Sequence, residues 1–499
     1  MKKKTLALQA ALTLTGLVFI SGLPAQTAPF PPLEPDPKAY EFAGRRTYSW
    51  QDIGEIALWV SSVGAAGAAN AASQPALIRD AAAELLAMPD LPPDPKARGE
   101  FVLTFVHQRF LKGYVEHQTR LDELFRTGRY NCVSSAVLYA IFATAAGLDV
   151  QGVMTKDHAF ITVNTGAERI DVETTNPIGF DPGNRREFHD GFGKVTGFAY
   201  VPARNYRDRA PISQLELVSL ILTNRIVELE KRNRYNEAVP LAINRAALLR
   251  DRRESETADS TNPAFFADPQ RDMTDRLLNY GSSLMKSGQE ARALEWAALA
   301  GGRYPDDDRW QEFTYAALNN LLVKFIRGKR IADARASLEA NAAMMSRENF
   351  DRLETLVLDA ELVQRSTGIR TTEEAEAVLL IIDDARSRGV LAENRARELR
   401  DFIILKEGER ASSANGAREA ISYIESAIAR YGRDSQLEKA INVYRNNRLA
   451  ELHNAFADLY NRGDYDGAGR FVRAALEEFP GNRNLTQDLN LVERALQKR

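Results

Sequence analysis

The chain contains one cysteine in 499 residues, Cys132, and downstream of it stand His158 and then Asp171. A thiol needs a base to become a thiolate, and an imidazole needs a partner to hold its tautomer. Cys, His and an acid brought together are therefore the parts of a nucleophilic site. Glu173 lies two residues beyond Asp171, so on a strand both carboxylates share a face and either can orient the imidazole. Such a set supports attack of the thiolate on an amide carbonyl, a thioester intermediate, and release to water or to an amine. The bland fate of a lone cysteine is that of a small buried hydrophobe. The two fates describe different proteins: a thiol enzyme, or a binding scaffold whose N-terminal domain holds a peptide without cutting it.

The flanking elements favour the first. Asn131 can accept from the orphan N–H groups of a helix start, which puts Cys132 at the first helical position. There the macrodipole and free N–H groups favour the thiolate, and the backbone N–H of Cys132 is a natural oxyanion donor. No second donor stands out. Val133, Ala136, Val137, Ala140, Ile141 and Ala145 face a core, and Gly147 stops the helix. The runs at 150–154, 158–163 and 169–172 are rich in β-branched residues, with Asn164-Thr165-Gly166 as a turn, and predict an antiparallel sheet packed on the cysteine helix. Gly197 to Val201 is a further strand candidate. Upstream, Phe101, Val102, Phe105, Val106, Phe110 and Leu111 form one apolar stripe, predicting an amphipathic helix over 98–114.

Cys132 opening a helix, His158 followed by Ala159-Phe160 on a strand, and Asp171 with Ile170 on the next strand resemble the catalytic core of the transglutaminase-like superfamily. The segments 98–114 and 121–128 resemble the helix and connector that precede the cysteine there. The resemblance spans roughly Lys96 to Val201. Tyr130-Asn131 departs from it where many members have glycine, and Phe160 where many have tryptophan. The resemblance implies a papain-like α+β fold, Cys132, His158 and Asp171 as catalytic residues, and no cofactor.

Lysine plus arginine (65) nearly balances aspartate plus glutamate (68), so the overall charge calls for neither nucleic acid nor an anionic surface. Lys2-Lys3-Lys4, the apolar run 6–23 and Ala25 have the parts of a secretory signal, and imply export, most simply to a bacterial periplasm. The alternative is an uncleaved membrane anchor. An exported chain with one thiol has no internal disulfide to use.

From Ile212 onward helix follows helix. Gly288, Ala293, Ala300 and Pro305 have the spacing of Gly463, Ala468, Ala475 and Pro480, and Ala420, Ala427 and Gly432 keep part of it. These intervals resemble tetratricopeptide repeats, whose small residues let paired helices pack closely into an array that binds proteins or peptides. Asn233 to Ala238 is a degenerate copy, and 252–270 a polar loop. The reading is a signal peptide at 1–25, a proline-rich linker at 26–44, a helical lead-in at 45–95, a transglutaminase-like domain at 96–205 and an all-α array at 212–499. His107, His117, His189 and His453 have no zinc spacing, and Gly191 to Lys194 is no phosphate loop. Arg204, Arg207 and Arg209 read as a solvated connector.

Overall fold

Asp36 and the proline after it start a helix inside the stretch expected to be a spacer. The Asp36 side chain accepts from the Lys38 N–H, Pro37 takes the first helical position, and helix α1 (Pro37–Ala43) buries Ala39, Phe42 and Ala43. Asp36 N–H also donates to Asn244 Oδ1 at 2.7 Å. Ahead of it, Phe30 packs on Trp296 with ring centroids 5.6 Å apart, and Tyr304 donates its hydroxyl to the Leu33 carbonyl at 2.6 Å. The proline-rich segment is therefore packed, because its aspartate and aromatic residues supply a cap and a hydrophobic anchor that a proline count overlooks.

The computed structural model describes residues 28–64, 73–155, 158–184, 188, 209–250 and 268–497. The expected signal peptide, the strand candidate at 197–201, His189, Gly191 to Lys194, Arg204 and Arg207, and nearly all of the expected 252–270 loop lie outside the described residues. The described chain is mostly helical with small sheets, an α+β region followed by an all-α one. No described helix is long and apolar enough to cross a membrane.

By its internal contacts the chain divides into two compact units, one of residues 1–289 with 296–307, the other of 290–295 with 308–499. In the first, a reciprocal Ser49–Asp52 capping box opens α2 (Trp50–Ser62), followed by α3 (Gln74–Leu86) and α4 (Pro95–Arg109). The helix expected to run to Tyr114 ends at Arg109. Lys112 and Gly113 instead donate to the Gly128 carbonyl, and β1 (Gly113–Tyr114) pairs in parallel with β2 (Arg129–Tyr130) across the short α5 (Leu121–Thr127). The apolar stripe continues past the helix because Phe110 and Leu111 are buried in the same core.

At the centre lies α6 (Cys132–Ala145), in which every residue from Val133 to Ala143 is buried. Against it packs a four-stranded antiparallel sheet in the order β5 (Arg169–Val172), β4 (Ala159–Asn164), β3 (Asp149–Met154), β6 (Ala210–Ile212). Three helices complete the unit: α7 (Gln214–Lys231), α8 (Tyr235–Leu248) and α9 (Pro269–Lys286). The Arg225 guanidinium on α7 donates to the carbonyls of Val60 and Val63 at 2.5 and 2.7 Å, satisfying the C-terminal end of α2. The helical run read as starting at 212 thus contributes its first three helices and part of the fourth to the unit that holds the cysteine, with α7 packed on α6 and α2.

Helix α10 (Glu290–Arg303) divides between the units. The second continues through α11 (Arg309–Arg327), α12 (Ile331–Ala340), α13 (Arg347–Gly368), α14 (Thr372–Ser387), α15 (Glu393–Asn415), α16 (Ala417–Tyr431), α17 (Ser435–Asn461), α18 (Tyr465–Glu478) and α19 (Arg483–Gln497). The aligned alanines, Ala420, Ala427, Ala468 and Ala475, are all buried.

Candidate active site

The Asn131 side chain accepts from the Ser134 N–H at 3.0 Å while Ser134 Oγ accepts from the Asn131 N–H at 2.9 Å, so the start of α6 is closed by a reciprocal cap. Asn131 Nδ2 donates onward to the Glu116 carbonyl at 3.0 Å, tying that cap to the β1 side. Cys132 is the first residue of the helix, as the capping pattern predicted, and it is partly exposed. Its backbone N–H is among those for which helix geometry provides no acceptor.

His158 stands just before β4, its ring spaced 6.2 Å from that of Phe160. Its Nε2 lies 2.6 Å from Glu173 Oε2. Cys132 is near enough to act on its charge. Burial opposes a charge on this ring, but the Glu173 carboxylate and the cysteine outweigh it and hold the imidazole pKa well above its ordinary value.

Asp171 is not the orienting acid. The β4–β5 register sets Thr162 opposite Asp171, and one further pleat along brings Glu173, not Asp171, beside the His158 end of β4. Asp171 is taken up elsewhere: it accepts from Thr162 Oγ1 at 3.1 Å and from the Arg209 guanidinium at 2.6 Å, and Arg209 lies over the Phe160 ring with its carbon 5.0 Å from the centroid. Arg209 is accordingly no solvated connector but is held by Asp171 and Thr162 of two neighbouring strands. A strand-face argument could not separate the two acids, since both project the same way; the pairing register separates them.

Glu173 is 3% exposed and fully engaged. Its second oxygen accepts from Thr175 Oγ1 at 2.8 Å and from the Thr175 N–H at 3.3 Å. The turn that carries it is pinned from three sides: Ser135 Oγ on α6 bonds Thr174 Oγ1 at 2.9 Å, Tyr130 donates its hydroxyl to the Thr175 carbonyl at 3.0 Å, and His107 Nε2 on α4 meets the Thr174 carbonyl at 3.0 Å. Burial lowers the His107 pKa to about 4, so near neutrality it is an uncharged donor to that carbonyl. It braces the turn that carries Glu173.

Sulfur and imidazole open onto a cleft of about 260 Å³. Tyr114, Met154 and Thr155 line it on one side, and Leu220, Thr223 and Asn224 of α7 on another. His117 sits at the same cleft, 3.5 Å from Glu228. Two of these contributions are not legible in the sequence: α7 carries the pattern of the helical array, and Tyr114 follows the apolar stripe of a helix. At the far end of the chain His453 pairs with the buried Asp488 at 2.8 Å between α17 and α19. Compared with protein-family models and with curated proteins, the chain matches none.

Proposed function

We propose that the first unit is a thiol acyl-transfer enzyme of transglutaminase-like type, with Cys132 as nucleophile, His158 as general base and Glu173 as the group that orients and charges the imidazole. The observation that carries this reading is that Cys132 and His158 line one cleft, with the imidazole hydrogen-bonded to the buried Glu173. The buried carboxylate stabilises the imidazolium that forms when the thiol gives up its proton. The thiolate adds to an amide carbonyl, the carbonyl electron pair moves to oxygen, and the Cys132 N–H receives that oxyanion. Collapse expels the amine, which takes the proton back from His158, and leaves a thioester for water or a second amine. The helical second unit serves in this reading as a tetratricopeptide-like surface for a protein or peptide partner, and the basic and apolar N-terminus directs export.

Iodoacetamide labelling of the native full-length protein tests the assignment. Alkylation confined to Cys132, with a rate nearly flat between about pH 6 and pH 8, is expected of a thiolate held by an imidazolium. A native protein that resists labelling, or labels only as an ordinary thiol does with rising pH, overturns it and returns the domain to a non-catalytic scaffold.

A further inference from the structure

A tetrahedral intermediate at Cys132 needs a second donor besides the backbone N–H of the nucleophile. Tyr114 lies on β1, directly paired with Tyr130 of β2, two residues before the cysteine. Its ring meets the Tyr130 ring edge-on at 6.0 Å, which fixes its direction, and it lines the cleft together with Cys132 and His158. Tyr130 spends its hydroxyl on the Thr175 carbonyl, whereas the hydroxyl of Tyr114 has no hydrogen-bond partner among the described residues. That O–H is therefore free to donate to a group bound in the cleft. Burial first, and then the charges of Cys132, Glu116 and Glu173, push this phenol well above its ordinary pKa. It therefore stays a protonated donor throughout the range in which the thiolate works.

We propose that the Tyr114 hydroxyl is the second oxyanion donor of the site, a catalytic residue that touches the reacting oxygen. The inference rests on the acyl-transfer reading above. In the step concerned the Cys132 sulfur bonds to the carbonyl carbon, the C=O electron pair moves onto oxygen, and Tyr114 donates a hydrogen bond to that oxygen without losing its proton. The electron pair then returns and the leaving group departs.

Two reagents separate this role from any other. Alkylation by iodoacetamide displaces iodide at a saturated carbon and develops no oxyanion, so it reads the thiolate alone. Acylation by p-nitrophenyl acetate passes through an oxyanion and releases a visible burst of p-nitrophenolate. In Tyr114→Phe the alkylation rate of Cys132 is expected to stay within about twofold of wild type, while the acylation burst slows on the order of 10²-fold, the usual cost of one oxyanion donor. The unchanged alkylation rate also certifies that the variant is folded around the site. Equal acylation rates in variant and wild type overturn the inference but leave the enzyme reading standing. A parallel fall in both rates assigns Tyr114 to holding the thiolate and likewise overturns it. A wild-type protein that alkylates but never acylates at Cys132 removes the acyl-transfer reading and this inference together.

Discussion

At the scale of single residues the site turns on which acid His158 meets. Glu173 holds Nε2 at 2.6 Å from a buried position, while Asp171 is spent on Arg209 and Thr162. Glu173→Gln keeps a hydrogen-bonding group there but removes the charge that raises the imidazole pKa, so iodoacetamide labelling of Cys132 at pH 7 should slow at least roughly tenfold, a factor of ten for each unit of imidazolium stabilisation lost. Asp171→Asn should leave that rate within about twofold. The reverse pattern would restore Asp171 to the triad. The two part-buried histidines, His107 and His158, also give the unit opposite pH limbs. His158 has a folded pKa raised above 6.5, so its contribution is full below that value and is lost as pH rises through the folded pKa. His107 has its pKa lowered to about 4, so the unfolded chain binds more protons between that value and 6.5, and stability falls as pH drops through this window. The His107 limb is worth roughly 3 kcal/mol at 1.36 kcal/mol per unit. Urea unfolding from pH 4 to 9 should show stability greatest near pH 6.5, and His107→Gln should flatten the acid limb without touching the alkaline one. An acid limb that survives the substitution would place its origin elsewhere.

At the scale of elements, one turn explains both what the sequence disclosed and what it hid. After α7, α9, α11, α14 and α17 the chain closes with the same bond, from an N–H to the carbonyl five residues earlier: Arg234 to Leu229, Gln289 to Leu284, Arg330 to Phe325, Val390 to Ala385, Asp464 to Leu459. The residue before each donor has positive φ, and it is glycine at 288, 389 and 463 but Asn233 and Lys329 at the other two. The glycine turns at 288 and 463 were legible as repeat boundaries; the α11–α12 turn was not, because lysine carries no such signal. Lys329→Gly should therefore raise the stability of the second unit by about 1 kcal/mol, by removing a side chain from left-handed backbone, and Gly463→Ala should lower it by a similar amount; chemical denaturation measures both. The same contrast runs through the first unit. The cap at Asn131, helix α6 and three strands followed from local pattern, since each depends on residues near in sequence. The end of α4, the packing of 28–43 and the contribution of α7 to the cleft depend on partners far along the chain, such as Gly128 for Gly113, Asn244 for Asp36 and the Val60 carbonyl for Arg225. Glu173 belongs to this second class, because its turn is set by tertiary contact. Gly179 donates to the Asn176 carbonyl and accepts from the Glu173 N–H, and a Cβ there would collide with the Glu173 carbonyl. Gly179→Ala should consequently displace the acid and slow Cys132 labelling as Glu173→Gln does, although position 179 touches neither sulfur nor imidazole.

For the whole molecule, two compact units with separate cores imply separable stabilities. The core around α6 includes Ile141 at 0% exposure, and one core of the second unit is built on Leu362, Leu379, Ile382 and Ile403, with Ile382 also fully buried. Shortening either isoleucine to alanine removes buried methyl groups and leaves a cavity, a loss of roughly 2–5 kcal/mol to the unit concerned. In a unit of about 200 residues each kcal/mol moves the midpoint by about 2–4 °C. Calorimetry of the full chain should resolve two components, with Ile382→Ala lowering one by roughly 5–15 °C and Ile141→Ala lowering the other. Cys132 supplies an independent reporter, since its alkylation depends only on groups within the first unit. Ile382→Ala should leave that rate unchanged at 25 °C, and should leave it close to the native value even after heating just past its own lowered transition. Should both substitutions instead move a single shared transition, the chain unfolds as one cooperative body, and the independence of the thiol site from the helical unit is lost.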